Sequence, residues 1–139
     1  MLASAERTAG VGIDFMALSV QRMLLATFFI VGGLLHFVFP AAYIGIMPAW
    51  LPWHPELVLL SGAAEIAGGI GVLTPMLRHV AGIGLISLSI AILPANVQML
   101  LNALALAKPF WILALLGLRL PLQLLLIIAI WRLTQPRPV

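Results

Sequence analysis

Residues 23–55 read MLLATFFIVGGLLHFVFPAAYIGIMPAWLPWHP, and no aspartate, glutamate, lysine or arginine interrupts them. An apolar run of that length crosses a bilayer once, at about 20 residues per crossing, with residues to spare. Pro40 divides the run, because proline disfavours helix at the residue before it. A first span therefore ends at Phe39. Beyond it, residues 40–56 carry Pro40, Pro48, Pro52 and Pro55. Each proline inside a helix costs about 3 kcal/mol. This segment is predicted to be an irregular stretch in the membrane interface, with Tyr43, Trp50 and Trp53 at headgroup level. Unsatisfied backbone cannot sit in hydrocarbon, so the loop should fold back on the helices as a cap.

The rest of the chain repeats the pattern. Of its 139 residues 63% are hydrophobic and 8% charged, against about 25% charged in a soluble domain, and the mean hydropathy is +1.19. The reading is all-α: a polytopic membrane four-helix bundle forming one domain over 1–139, with the proline-rich interfacial loop between spans 1 and 2. The spans are predicted at 15–39, 57–75, 80–103 and 110–132. The first dozen residues, with Glu6 and Arg7, are expected to be loose. The first span is too long for a secretory h-region and reads as uncleaved. In the last span Arg119 and Pro121 leave two readings, a kinked full-length helix or a short span from Leu120. The short one would reach only about 20 Å across a core of about 30 Å, so the kinked helix is preferred.

Composition also excludes functions. Without cysteine the chain holds no thiol–disulfide relay, iron–sulfur centre or thiolate metal site. Three scattered histidines argue against any metal site made by this chain alone. Its seven basic residues form no cluster that could neutralise a row of phosphates, so nucleic acid is not a partner. Across four spans, Arg7, Arg22, Arg78, Arg132 and Arg137 fall on one side and Lys108 on the other. Both termini are accordingly expected to be cytoplasmic.

Ionisable residues inside a span are expensive and are candidates for function. Counted from the non-cytoplasmic ends at 1.5 Å per residue, Glu65 lies about 12 Å deep, Asn96 about 10 Å, Arg119 about 13 Å and His36 about 5 Å. Four helices thus place a polar group in one half of the membrane, beneath the cap. Small residues flank them (Gly32–Gly33, Ser61–Gly62, Gly68–Gly69, Gly82 and Ser89) and mark the faces that turn inward. Gln123 stands one turn from Arg119. The candidate ligand-binding residues are His36, Tyr43, Trp50, Glu65, Asn96, Arg119 and Gln123, expected to floor and cap a pocket. Each also has a plain structural reading. Glu65 and Arg119 can form an ion pair that sets helix register, Asn96 an interhelical clip, and His36 an interfacial histidine without a task. His54 and His79 read as ordinary loop residues, and Trp50, Trp53, Trp111 and Trp131 as interfacial anchors.

Several short motifs occur in a shared order: His36, Pro40, Tyr43, Ile46, Pro48, Leu51 and Pro52; Ser61-Gly62 and Glu65 with Gly68-Gly69; Leu73, Pro75 and Arg78; Pro94-Ala95-Asn96; and Arg119-Leu120-Pro121-Leu122-Gln123. Over residues 20–133 the chain resembles the DoxX family of small four-helix membrane proteins. That resemblance implies the bundle fold and a redox-associated role in a bacterial cytoplasmic membrane. Relatives that do thiol chemistry carry cysteines, which this chain lacks, so a redox role would run through a bound cofactor or a partner.

Two functions lead. One is an accessory subunit of a membrane oxidoreductase that binds a quinone or another isoprenoid lipid, its head group held by the polar residues. The other is a non-enzymatic scaffold or assembly chaperone for a second membrane protein, docking through small-residue faces. An intramembrane acid–base enzyme using Glu65 and a small permease rank below them. Membrane lipids, an oxidoreductase and a second copy of the chain are the partners this reading allows.

Overall fold

A computed structural model describes residues 2–136, with side chains from residue 16 onward. It is helical throughout its elements: α1 (Leu2–Val38), α2 (Pro40–Ile44), α3 (His54–Leu73), α4 (Arg78–Ala105) and α5 (Phe110–Thr134). Four helices are long and apolar enough to cross a membrane, over Met16–Val38, His54–Leu73, Arg78–Ala105 and Phe110–Thr134. The protein is an all-α membrane bundle.

Local chemistry explains where the helices begin and end. Pro40 stops α1 and occupies the first turn of α2, where its missing N–H is not needed. Pro55 does the same for α3, which therefore starts at His54, three residues before the predicted span. The Pro40–Pro55 stretch is less irregular than predicted, since α2 and turns such as Ile46 N–H to Tyr43 O and Leu51 N–H to Pro48 O satisfy its backbone. His54 Nε2 donates to Pro48 O at 3.0 Å and ties the loop to the start of α3. At the far end of α4, Ala107 adopts φ 48°. Lys108 N–H bonds Ala103 O and Ala107 N–H bonds Leu104 O, the double closure that usually carries glycine at the left-handed position. Pro94 and Pro121 lie inside continuous helices, so the fourth span is full-length.

One expectation fails. The residues before Phe15 are not loose but extend α1 as helix back to Leu2. Propagating an existing helix adds one hydrogen bond per residue without a new nucleus. At 1.5 Å per residue α1 is about 55 Å long, well beyond a core of about 30 Å.

The long helices pack in sequence: α1 on α3, α3 on α4, α4 on α5, while α5 and α1 barely meet. The bundle is a row bent almost into a ring, with an incompletely closed seam between its first and last helices. Its apolar core, Leu25, Phe29, Val72, Leu85 and Ile130, occupies the half toward Arg22 and the end of α3. The half beneath the Pro40–Pro55 loop is left to the polar residues.

Candidate functional site

Glycine brings α1 and α3 together. A Cβ on Gly33 would fall 2.5 Å from Gly62 O, and one on Gly62 would fall 2.7 Å from His36 Cβ. With no side chain between the backbones, His36 and Glu65 meet across the seam. A Cβ on Gly32 would stand 2.9 Å from Glu65 Oε2, so that glycine leaves the carboxylate its room.

His36 is 7% exposed. Its Nδ1 lies 3.0 Å from Val58 O and 2.9 Å from Ser61 Oγ, and Ser61 Oγ donates to Val58 O at 2.9 Å. A carbonyl can only accept, so Nδ1 carries the proton, and the serine oxygen shares it. Nε2 then faces Glu65 Oε1 at 3.8 Å, within ion-pair range but longer than a hydrogen bond. The Tyr43 ring lies over the imidazole, centroids 3.9 Å apart and planes inclined by 37°. The Tyr43 phenol is pushed above the usual tyrosine value by burial first and by the Glu65 carboxylate second, while Arg119 pulls it back.

A second polar group joins α4 and α5. Asn96 Nδ2 donates to Gln123 Oε1 at 2.7 Å, and Gln123 Nε2 donates to Ser89 O. Asn96 is thus the interhelical clip of its plain reading, though its Oδ1 is buried without a partner. The predicted Glu65–Arg119 ion pair is not formed among the described residues, whose one Glu65 contact of this kind is His36. The reason is helix order. α5 packs on α4, so α3 and α5 are not neighbours, and Arg119 is exposed. Its charge nonetheless acts on Tyr43.

Beneath the loop a cavity of about 390 Å³ lies between Pro48 and Trp50 and the α4 residues Ile90, Leu93, Pro94, Val97 and Gln98. Of the seven candidates only Trp50 lines it. Asn96 and Ser89 share the stripe of α4 that faces α5, while Val97, Ile90 and Pro94 lie about 80–140° round the helix from Ser89 at about 100° per residue. Pro94 has no N–H to give Ile90 O, so the cavity wall includes a residue whose carbonyl lacks its helical donor. By sequence Ser61 reads only as a small residue on the inward face of α3. Its i, i+4 spacing to Glu65 is the signal that both stand on the face that meets His36.

The sequence matches, over residues 25–134, a family described as "Domain of unknown function (DUF8561)". No curated protein matches it, and no solved structure does.

Proposed function

The chain belongs to the DUF8561 family, and we propose that it is a membrane-embedded subunit that binds the head group of a quinone or related isoprenoid and exchanges a proton with it, as an accessory to a membrane oxidoreductase. The observation that carries this reading is the His36–Glu65 pair with its fixed tautomer. Val58 O and Ser61 hold the imidazole so that only Nε2 can take up or release a proton, toward Glu65. Such a pair accepts a proton from one side and passes it to the other without moving backbone. The Tyr43 phenol supplies a neutral donor for a quinone carbonyl, and Arg119 supplies positive charge where a reduced head group would carry negative charge. The weakly closed seam between α1 and α5 offers a long apolar tail a way in from the bilayer. With no cysteine in the chain, both electrons come from the partner oxidoreductase, and the pair delivers protons one at a time, refilled from water between deliveries.

The resemblance of its motif order to the DoxX family is the ground for the redox association and for a bacterial cytoplasmic membrane. The basic residues Arg22, Arg78 and Arg132 support cytoplasmic termini. A second reading, a scaffold for another membrane protein, draws on α5, which is exposed over most of its length. It no longer draws on the glycine faces of α1 and α3, which are consumed inside the bundle.

The test is to purify the protein in mild detergent and identify what remains bound by mass spectrometry. The binding reading expects a stoichiometric quinone or isoprenoid, depleted in Glu65→Gln while helix content is unchanged. A wild-type preparation that holds no such lipid and instead retains one membrane protein would replace it with the scaffold.

A further inference from the structure

Arg119 lies well inside the last span, about 13 Å from the start of α5 at 1.5 Å per residue. It is exposed, and its guanidinium makes no hydrogen bond or ion pair with any described residue. A cation at this depth is expensive, and such residues ordinarily pair with another group. The described carboxylates do not supply one. Glu65 faces His36, and Glu56 lies in the first turn of α3, about 10 Å nearer the loop end by the same rise. The helix around Arg119 is bare as well. α5 buries only Ile130 and Thr134, both near its far end. Trp111, Leu115, Leu118, Leu122 and Leu125 are each more than half exposed. Their spacing alternates four and three, the pattern of a helix–helix seam, and forms one stripe about 21 Å long. Arg119 borders that stripe on the side of Gln123, where α5 turns toward α4.

Leucine packs against lipid as well as against a helix, so the stripe alone would select no partner. The charge beside it does. We infer that α5 is a docking surface for a transmembrane helix of another protein that carries a carboxylate at mid-membrane depth, the helix lying along the Trp111–Leu125 stripe and its carboxylate pairing with Arg119. A second copy of this chain does not meet that requirement. Copies inserted the same way keep equal depths, Glu56 and Glu65 are misplaced or engaged, and Glu6 and Asp14 lie toward the opposite end of α1. A phospholipid phosphate stays at headgroup level, near the start of α5 and about 13 Å from the Arg119 backbone. The guanidinium has five donors in a planar fork, so one edge can hold a carboxylate while its charge still reaches Tyr43. This surface is distinct from the His36–Glu65 pair, and the inference holds whatever that pair binds.

A synthetic transmembrane peptide tests this: a leucine–alanine helix with one glutamate at its centre, near the depth of Arg119 in either orientation, and the same peptide with leucine there. Energy transfer between labelled peptide and the full chain labelled at Lys108→Cys, in phosphatidylcholine vesicles without quinone, reads binding. The glutamate peptide should bind about tenfold more tightly than the leucine peptide. Arg119→Gln should bring that ratio to about one. Leu118→Trp should weaken both peptides by obstructing the stripe. Both side chains are exposed, so the variants should keep the fold, which helix content by circular dichroism checks. Equal binding of the two peptides by the wild-type protein, or a preference that survives Arg119→Gln, overturns the dock. Unchanged binding in Leu118→Trp overturns the stripe as its seat. Loss of the preference when phosphatidylglycerol replaces phosphatidylcholine would assign Arg119 to a lipid phosphate instead. Energy transfer between two labelled copies of the chain that the glutamate peptide cannot displace would assign the stripe to a second copy.

Discussion

Tyr43 is the most informative single residue, because it is the chain's only tyrosine and feels both charges of the polar half. Burial and the Glu65 carboxylate push its phenol above the ordinary 10.0, and Arg119 opposes them. The stabilisation tied to the neutral phenol is therefore fully present below pH 10.0 and is lost as pH rises through the higher folded value. Phenolate absorbance reads this group alone. Its midpoint should lie above 10.0 in the wild type, fall in Glu65→Gln and rise in Arg119→Gln. One midpoint common to all three proteins would mean that these side chains share no field. A shift in both variants would place Arg119 within the electrostatics of the site although it touches neither partner.

Among elements, glycine has two roles with opposite mutational signs. Gly33 lies against backbone, 2.5 Å from a would-be Cβ to Gly62 O, whereas nothing lies within 4 Å of a Cβ on Gly84 or Gly117. Gly33→Ala should force α1 from α3 and destabilise by about 1–3 kcal/mol. Gly117→Ala, within α5, should stabilise by about 0.5–1 kcal/mol through helix propensity alone. Ala107→Gly should also stabilise, by about 1–2 kcal/mol, because it removes a left-handed alanine. Thermal unfolding of the three variants in one detergent reads all the signs together. Stabilisation by Gly33→Ala would mean that the close α1–α3 contact is wrong. That contact matters for function because it sets His36 beside Glu65, so Gly33→Ala should disturb the polar pair along with the fold.

For the molecule as a whole, the basic end and the loop end are predicted to face opposite compartments. The natural absence of cysteine gives a clean background for Met76→Cys and Lys108→Cys. An impermeant thiol reagent applied to intact cells should label Lys108→Cys at once and Met76→Cys only after permeabilisation. The reverse pattern would invert the protein. Orientation bears on the proposed function, since it assigns the His36–Glu65 pair to the outer half of the membrane.

The sequence alone determined that this is a membrane protein, that it has four crossings, where each lies to within a few residues, and that its polar groups share one half. Those quantities follow from hydropathy, proline and a constant rise per residue, all of which act along the chain. His36, Glu65, Asn96 and Arg119 could therefore be placed at similar depths. Depth along a helix says nothing about which helix stands beside it. Only the tertiary packing put α1 against α3 and α5 against α4, and with that exchanged the expected partner of Glu65 from Arg119 to His36. Packing likewise paired Asn96 with Gln123. Glycine contacts and helix order act between segments far apart in the chain, and they carry no periodic signature within any one of them.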